Sequence, residues 1–549
     1  MQFRFSFCFF ILLIFLPAGL FAQRSRKGEH LSSDKPRLVL GIVVEQFRPD
    51  YLVRYWDKFQ DGGFKRLVNN GTNCTNVHFE QLIQKQSVGT ATLFTGVNPS
   101  FHGIISDHWL NRLKSEINHC TYDENYMSMG CNVVNGHCAP THLLATTLGD
   151  QMKLMYNGHC KVYSVALNDP PALFSAGHAA DGAFWLEEET GNMISSSFYF
   201  RKFPEWVSFF NEKRLPDLYL SKKWTTLLPL SSYEESLEDD YLLEKGYWNR
   251  WNTFPHDLEK YHKKAGSYKI LKDTPFGNTL VKDFAINLME QEEIGMDDIP
   301  DLVSVVFSSL NDANELFGPA SVEMEDLYLR LDQDIAHLLN YIDFLVGMEN
   351  TIVFLTSNCS SSYPVDYMIE ELRLPVGIFK PLNAIALLKS YLNIAFGEGK
   401  WVKEYLDQQI YLNHELIERR NVSLEDIQKK AASFITQFQG VVFAKPACEL
   451  EITSYSDGYL SAFQDSYFKK RSGDILIGLQ QGWQPDIQYR KISYTENKHI
   501  PLIWYGWGIS KNKITSKISA TDMVPTICEM LRIPPPDFSK GTPLFKIAH

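Results

Sequence analysis

Residues 38–44, LVLGIVV, form an unbroken apolar and largely β-branched run that stops at Glu45. A strand that is apolar at every position, not at alternate ones, has to be covered on both faces. That demand excludes an open sheet wetted on one side and asks for a sheet packed between helices. The same design recurs at 302–307, shortly before Asn311, at 351–356, shortly before Asn358, and at 501–505, just before Gly506. Between the second and third runs, Leu331, Ile335, Leu338, Leu339, Ile342 and Leu345 fall on one helical face. Strand, one-sided helix, strand is a βαβ unit, so the prediction is an α/β fold with a mostly parallel central sheet flanked by helices. In such sheets the working groups lie beyond the carboxyl ends of the strands. Glu45, Asn311 and Asn358 fall there.

The chain has 549 residues, 44% of them hydrophobic and 21% charged, which suits a large folded core and not a disordered chain. A net charge of −12 argues against a nucleic-acid partner, which needs a basic face. Arg4, an apolar run over 5–16 and small Ala22 read as a cleaved secretory leader over 1–22. The apolar run is short for a membrane span of about 20 residues, and no later stretch reaches that length. The chain is therefore expected to be exported, as a periplasmic resident or a protein held peripherally at the outer membrane, with no transmembrane segment after cleavage. Residues 23–36 read as a flexible lead-in to one domain over 37–549. Its core is expected at about 37–178, 300–380 and 490–549, with inserted cap lobes at about 179–300 and 380–490. Export favours disulfides, and one bridge is expected among Cys120, Cys131 and Cys138. A zinc knuckle is the alternative there, weakened by the lack of a Cys-x-x-Cys pair.

Several segments together resemble the phosphate-irrepressible alkaline phosphatases of the alkaline phosphatase superfamily. They are 41–51 (GIVVEQFRPDY), 62–67 (GGFKRL), 94–103 (FTGVNPSFHG), 176–178 (AGH), 182–185 (GAFW) and 274–279 (TPFGNT). Further along come 317–319 (FGP), 328–332 (YLRLD), 470–474 (KRSGD), 499–501 (HIP) and 521–526 (TDMVPT). They keep the family's order from about residue 37 to the end. The resemblance implies two zinc ions roughly 4 Å apart that clamp a phosphoryl group for a threonine nucleophile. Three aspartates and three histidines would hold the metals, and a lysine, an arginine and an asparagine would hold phosphate.

Carried over one position at a time, each of these roles lands on a substituted residue. The first strand's aspartate is Glu45, and the nucleophile falls on Gln86. The Asp-x-x-x-His pair becomes Asn311 and Glu315, and the Asp-His pair becomes Asn358 and Cys359. The last histidine falls on Arg490, a cation that cannot ligate a metal. On the phosphate side, lysine and arginine become Asn168 and Pro170, and asparagine becomes Asp107. The expectation is a site with no catalytic residue, no substrate-binding residue and no metal, zinc being the family's cofactor.

Three sharper readings compete locally. Ser87 could serve as a displaced nucleophile, at the cost of a one-residue slip between fixed anchors. Glu45, Glu315, Asp312 and Cys359 could hold a single remodelled metal, whereas Arg490 could instead neutralise Glu45 or Glu315 as an ion pair. The acidic stretch 234–240 could bind calcium, against the plainer reading of a solvated loop. His102, His178 and His499 read as structural, and Asp522 as a helix cap. The expected function is an exported pseudoenzyme that acts as a binding or scaffold protein, its partner being an envelope protein. The alternative is a metal-dependent phosphoester or sulfate ester hydrolase with a remodelled site.

Overall fold

The computed structural model describes residues 34–131, 136–456, 458–486, 498–545 and 547, and the architecture below is that of the unit Lys35–His549. The four apolar runs become four adjacent strands of the central sheet, in the spatial order His499–Gly506, Thr351–Thr356, Leu38–Val44, Asp301–Phe307. Leu38–Val44 runs parallel to both Asp301–Phe307 and Thr351–Thr356, with Val44 level with Phe307 and Val43 level with Thr356. Three strand ends thus stop at one edge, which is what brings Glu45, Ser308 and Ser357 together.

Parallel pairing continues through Val162–Val165 to Gly182–Leu186. The flanks are antiparallel: Met193–Ser196 and Ser128–Met129 on one side, His499–Gly506 and Thr72–His78 on the other. Pro501 sits where the register of the last pair shifts, as a residue without an N–H must. The expected α/β architecture is present, with a large sheet of mixed direction and peripheral insertions.

Alternate residues of Leu38–Val44 enter different cores. Leu38, Leu40, Ile42 and Val44 pack with the helices Pro275–Gln291 and Val322–Leu345, which supply Leu280, Phe284, Leu331 and Leu338. Val39 and Val43 pack with Val88, Ala91 and Phe94 of the helix Gln86–Thr95 and with Ile527 of Met523–Leu531. The period of two in the strand is thus read by helices on both faces.

The stretch 179–300 begins inside the sheet, not outside it: Gly182–Leu186 and Met193–Ser196 are sheet strands, and Pro275–Gln291 is a core helix. Their short length and mixed polarity hide them from a search for long apolar runs. Residues 380–490 carry their own antiparallel sheet of Val402–Leu406, Gln409–Leu412, Ile475–Leu479 and Val441–Pro446. The helices Pro381–Phe396 and Leu424–Ile435 close a separate core over it.

The bridge expected among Cys120, Cys131 and Cys138 is absent, and no disulfide joins the described cysteines. Cys120 is buried on Ser87, whereas Cys138 faces Asp169 and Thr121. Among the described residues no helix is long and apolar enough to cross a membrane. The leader 1–22 and nearly all of the lead-in lie outside the described residues.

Candidate functional site

Glu45 ends the first strand with its side chain fully buried. A buried carboxyl in this position needs hydrogen-bond donors or a proton. Two amides supply donors. Asn358 Nδ2 donates to Glu45 Oε1 at 3.1 Å and to Thr90 Oγ1 at 3.0 Å. Gln86 opens the helix Gln86–Thr95 and turns its amide so that the nitrogen donates to both Glu45 oxygens at 2.9 Å, the orientation its acceptor neighbours dictate. Burial still raises the Glu45 pKa, opposed by the Asn358 N–H and reinforced by the charges of Asp312 and Asp107, to about 8.

The helix and the strand end meet through one glycine. A Cβ on Gly89 would lie 1.6 Å from the Asn358 carbonyl oxygen. Only a residue without a side chain lets the two backbones approach closely enough for Gln86 and Asn358 to converge on the same carboxyl.

The other positions surround this centre. Cys359 Sγ donates to Asn358 Oδ1 at 3.4 Å, and burial pushes its thiol far above the ordinary range. Asn311 and Glu315 lie on the helix Ser309–Phe317, and Asn311 Oδ1 accepts from Gln46 Nε2. Gln46 Oε1 in turn accepts from Asn314 Nδ2 at 2.8 Å. Gln46 has φ +55, a left-handed backbone that turns the chain sharply after Glu45. Asp312 beside them is raised to about 6 by burial, with Lys272 lowering and Glu315 raising it. Arg490, expected as a counter-charge for Glu45 or Glu315, lies outside the described residues.

The positions that the resemblance assigns to phosphate have partners of their own. Ser87, buried, donates to Asp107 Oδ1 at 2.6 Å. Asn168 precedes the helix Asp169–Ala176, in which Pro170 is buried in the first turn. Lys272 Nζ donates to Asn168 Oδ1 at 2.7 Å and pairs with Glu188 Oε1 at 2.8 Å. These residues line a cavity of about 260 Å³ together with Asp169, Trp185 and Glu189. Lys85 pairs with Asp407 at 3.6 Å, and Asp407 also takes the Ser106 hydroxyl. Asp407 lies at the tip of the hairpin Val402–Leu406 and Gln409–Leu412, so the second lobe reaches the site.

Sequence reasoning did not single out Gln46, Asn314, Lys85, Lys272 or Asp407. Adjacency to Glu45 and Gln86 was the available signal for Gln46 and Lys85. Nothing local marks Lys272 or Asp407, which arrive from distant elements.

The residues read as structural have structural partners. His102 bonds Thr92 and the Ile104 N–H. His178 lies between Asp150 and the Leu143 carbonyl. His499 meets the Thr75 carbonyl, and Asp522 accepts from Ser519 N–H as a cap. The stretch 234–240 is more than a solvated loop: Glu235 pairs with Lys58, and Asp239 accepts the Phe254 N–H.

The side-chain nitrogens of Gln86 and Asn358 present N–H groups toward Glu45, and an N–H group offers a metal no lone pair, so these two nitrogens do not fit the part of zinc ligands.

Among known proteins, the chain matches the family described as type I phosphodiesterase / nucleotide pyrophosphatase over residues 39–499. It is 33% identical to the alkaline phosphatase PafA of Elizabethkingia meningoseptica, covering 93% of this chain and 94% of that protein. It is also 33% identical to a protein of Myroides odoratus named calcium-transporting ATPase, with the same coverage, 93% and 94%. The crystal structure of wild-type alkaline phosphatase PafA superimposes with a TM-score of 0.89 at 33% identity, covering 94% of this chain and 99% of that one.

Proposed function

This chain belongs to the type I phosphodiesterase / nucleotide pyrophosphatase family, and from that premise we propose that it is a catalytically silent, exported member that uses the fold to bind a protein partner in the cell envelope. A fold does not impose its chemistry; the site residues decide it. The observation that carries the reading is the Glu45 centre, where both carboxyl oxygens accept N–H groups from Gln86 and Asn358. Those are the positions at which the resemblance calls for a nucleophile and a metal-binding aspartate. An amide nitrogen already donating to a carboxyl neither attacks phosphorus nor ligates zinc. Asn168 and Pro170 in place of two cations, with Asp107 added, also make the pocket a poor host for a phosphate dianion. No catalytic step is derived through zinc.

The test is the metal content of mature protein purified from the periplasm without chelators, beside hydrolysis assays on phosphate monoesters, phosphodiesters and sulfate esters. The expected result is less than about a tenth of a metal per chain, none gained on zinc dialysis, and no turnover. A stoichiometric partner recovered by crosslinking supports the binding role. Tightly held metal together with turnover that disappears in Glu45→Ala overturns it. A remodelled hydrolase is the second reading, and the acidity around Glu45 favours it: Asp312 and Asp107 both act on that carboxyl.

A further inference from the structure

A second buried acidic group lies away from the Glu45 centre, where the segment 236–247 crosses the start of the helix Val322–Leu345. Glu323 is 0% exposed; its Oε1 meets His256 Nε2 at 2.8 Å, and its Oε2 finds no hydrogen-bond partner among the described residues. Among the same residues, both buried carboxyl oxygens of Glu244, the Tyr247 hydroxyl and His256 Nδ1 find none either. Among the described residues, the charged neighbours that weigh most on these two groups are acidic: Asp239 and Asp240 on the crossing segment act on Glu244, and Asp239 and Asp326 on Glu323. Asp273 and Asp312 bear on Tyr247. The nearby cations are engaged elsewhere, Lys58 with Glu235 and Glu325, and Arg330 with Asp326. Burial holds His256 down to about 3, so its ring is neutral and brings no compensating charge.

Two ionised carboxylates cannot share a buried acidic environment without donors or cations. We propose that Glu244 and Glu323 form a proton-held latch: the segment 236–247 stays docked on the start of Val322–Leu345 while both carboxyls are neutral, and alkaline pH loosens it by leaving buried charge without donors. The segment's other fastenings show what release would loosen. Leu237 N donates to the Ala320 carbonyl at 2.8 Å, and Lys245 N and Gly246 N donate to the Leu316 carbonyl at 2.9 and 3.0 Å. Leu316 lies in the helix that carries Asn311, Asp312 and Glu315. The latch therefore couples proton uptake to the order of one wall of the Glu45 pocket.

Burial, with Asp239 and Asp240 adding to it, raises Glu244 to about 9, and burial with the Glu244 charge raises Glu323 well above the carboxyl range. A carboxyl whose pKa is raised on folding contributes fully below its ordinary value of 4.5. That contribution is lost as pH climbs toward the folded value. The window runs from about 5 to about 9.

Hydrogen exchange of 236–247 in the full mature protein, in the presence of a chelator, reads the latch directly. After correction for intrinsic base catalysis, exchange should speed up about tenfold per pH unit for each carboxyl released. Glu244→Gln should remove one such increment, and the double variant Glu244→Gln with Glu323→Gln should flatten the profile while the protein stays folded. Glu244→Gln alone keeps the test valid if the double variant does not fold. A flat wild-type profile, or a slope left undiminished by Glu244→Gln, overturns the proposal. So does slowing of exchange by millimolar calcium without a chelator, because the pair would then hold a cation and not protons.

Discussion

Glu45 and the Glu244–Glu323 pair are both carboxyl groups sealed inside the protein, but their surroundings differ in kind. Glu45 is met by N–H groups on both oxygens, from Gln86 and Asn358. Glu244 meets none, and Glu323 has one oxygen unanswered. Burial raises Glu45 to about 8 where donors oppose it, raises Glu244 to about 9 where acids reinforce it, and raises Glu323 well above the carboxyl range. Both carboxyls are raised by burial, and donor supply is the part of their surroundings that differs.

The strongest way to break this comparison is to push the donors away from Glu45. Gly89→Ala places a Cβ against the Asn358 carbonyl, and we expect a loss of about 3 kcal/mol or more, or no soluble protein. A near-normal urea midpoint would mean that the helix and strand end are not pressed together there. Asn358→Leu keeps the volume and removes one donor to Glu45, with an expected cost of about 2 kcal/mol at neutral pH. It should also move the Glu45 titration upward, since the Asn358 N–H is what lowers it. An unchanged titration by infrared carboxyl bands would remove Asn358 from the account.

Glu45→Gln sharpens the contrast without changing size. Because the folded pKa is raised, wild-type stability relative to this variant should fall by about 1 kcal/mol per pH unit from the ordinary carboxyl range up to about 8, then level off. The corresponding break for Glu244→Gln should come nearer pH 9. Coinciding breaks would erase the difference between the two pockets. The smallest effect is expected from Cys359→Ser, about 1 kcal/mol or less, with no change in bound metal, since the thiol only donates weakly to Asn358.

Much of the scaffold was legible because fully buried strands announce themselves. The runs that end before Glu45, Asn311 and Asn358 appear as adjacent strands, and the one-sided pattern after 322 appears as the helix Val322–Leu345. The antiparallel direction of His499–Gly506 was not legible, since an apolar run carries no sense of direction. Gly182–Leu186 and Met193–Ser196 were missed as core because they are short. The acidic stretch 234–240 looked like surface because its partners lie far along the chain: Ser236 donates to Glu325, and Phe254 donates to Asp239.

The sequence by itself determined which side chains stand at the strand ends: Glu45, Gln86, Asn311 and Asn358 are what they are wherever the chain places them. It also determined that the central strands must be covered on both faces, because apolar residues at every position leave no face for water. Only the tertiary structure decided which groups answer Glu45, that Lys272 comes to Asn168, and that the charge of Glu244 bears on the buried Glu323. Hydrogen bonds and charge interactions act over a few ångströms in space, and the partners here are separated by tens to hundreds of residues along the chain. A local reading of residue types has no access to those distances.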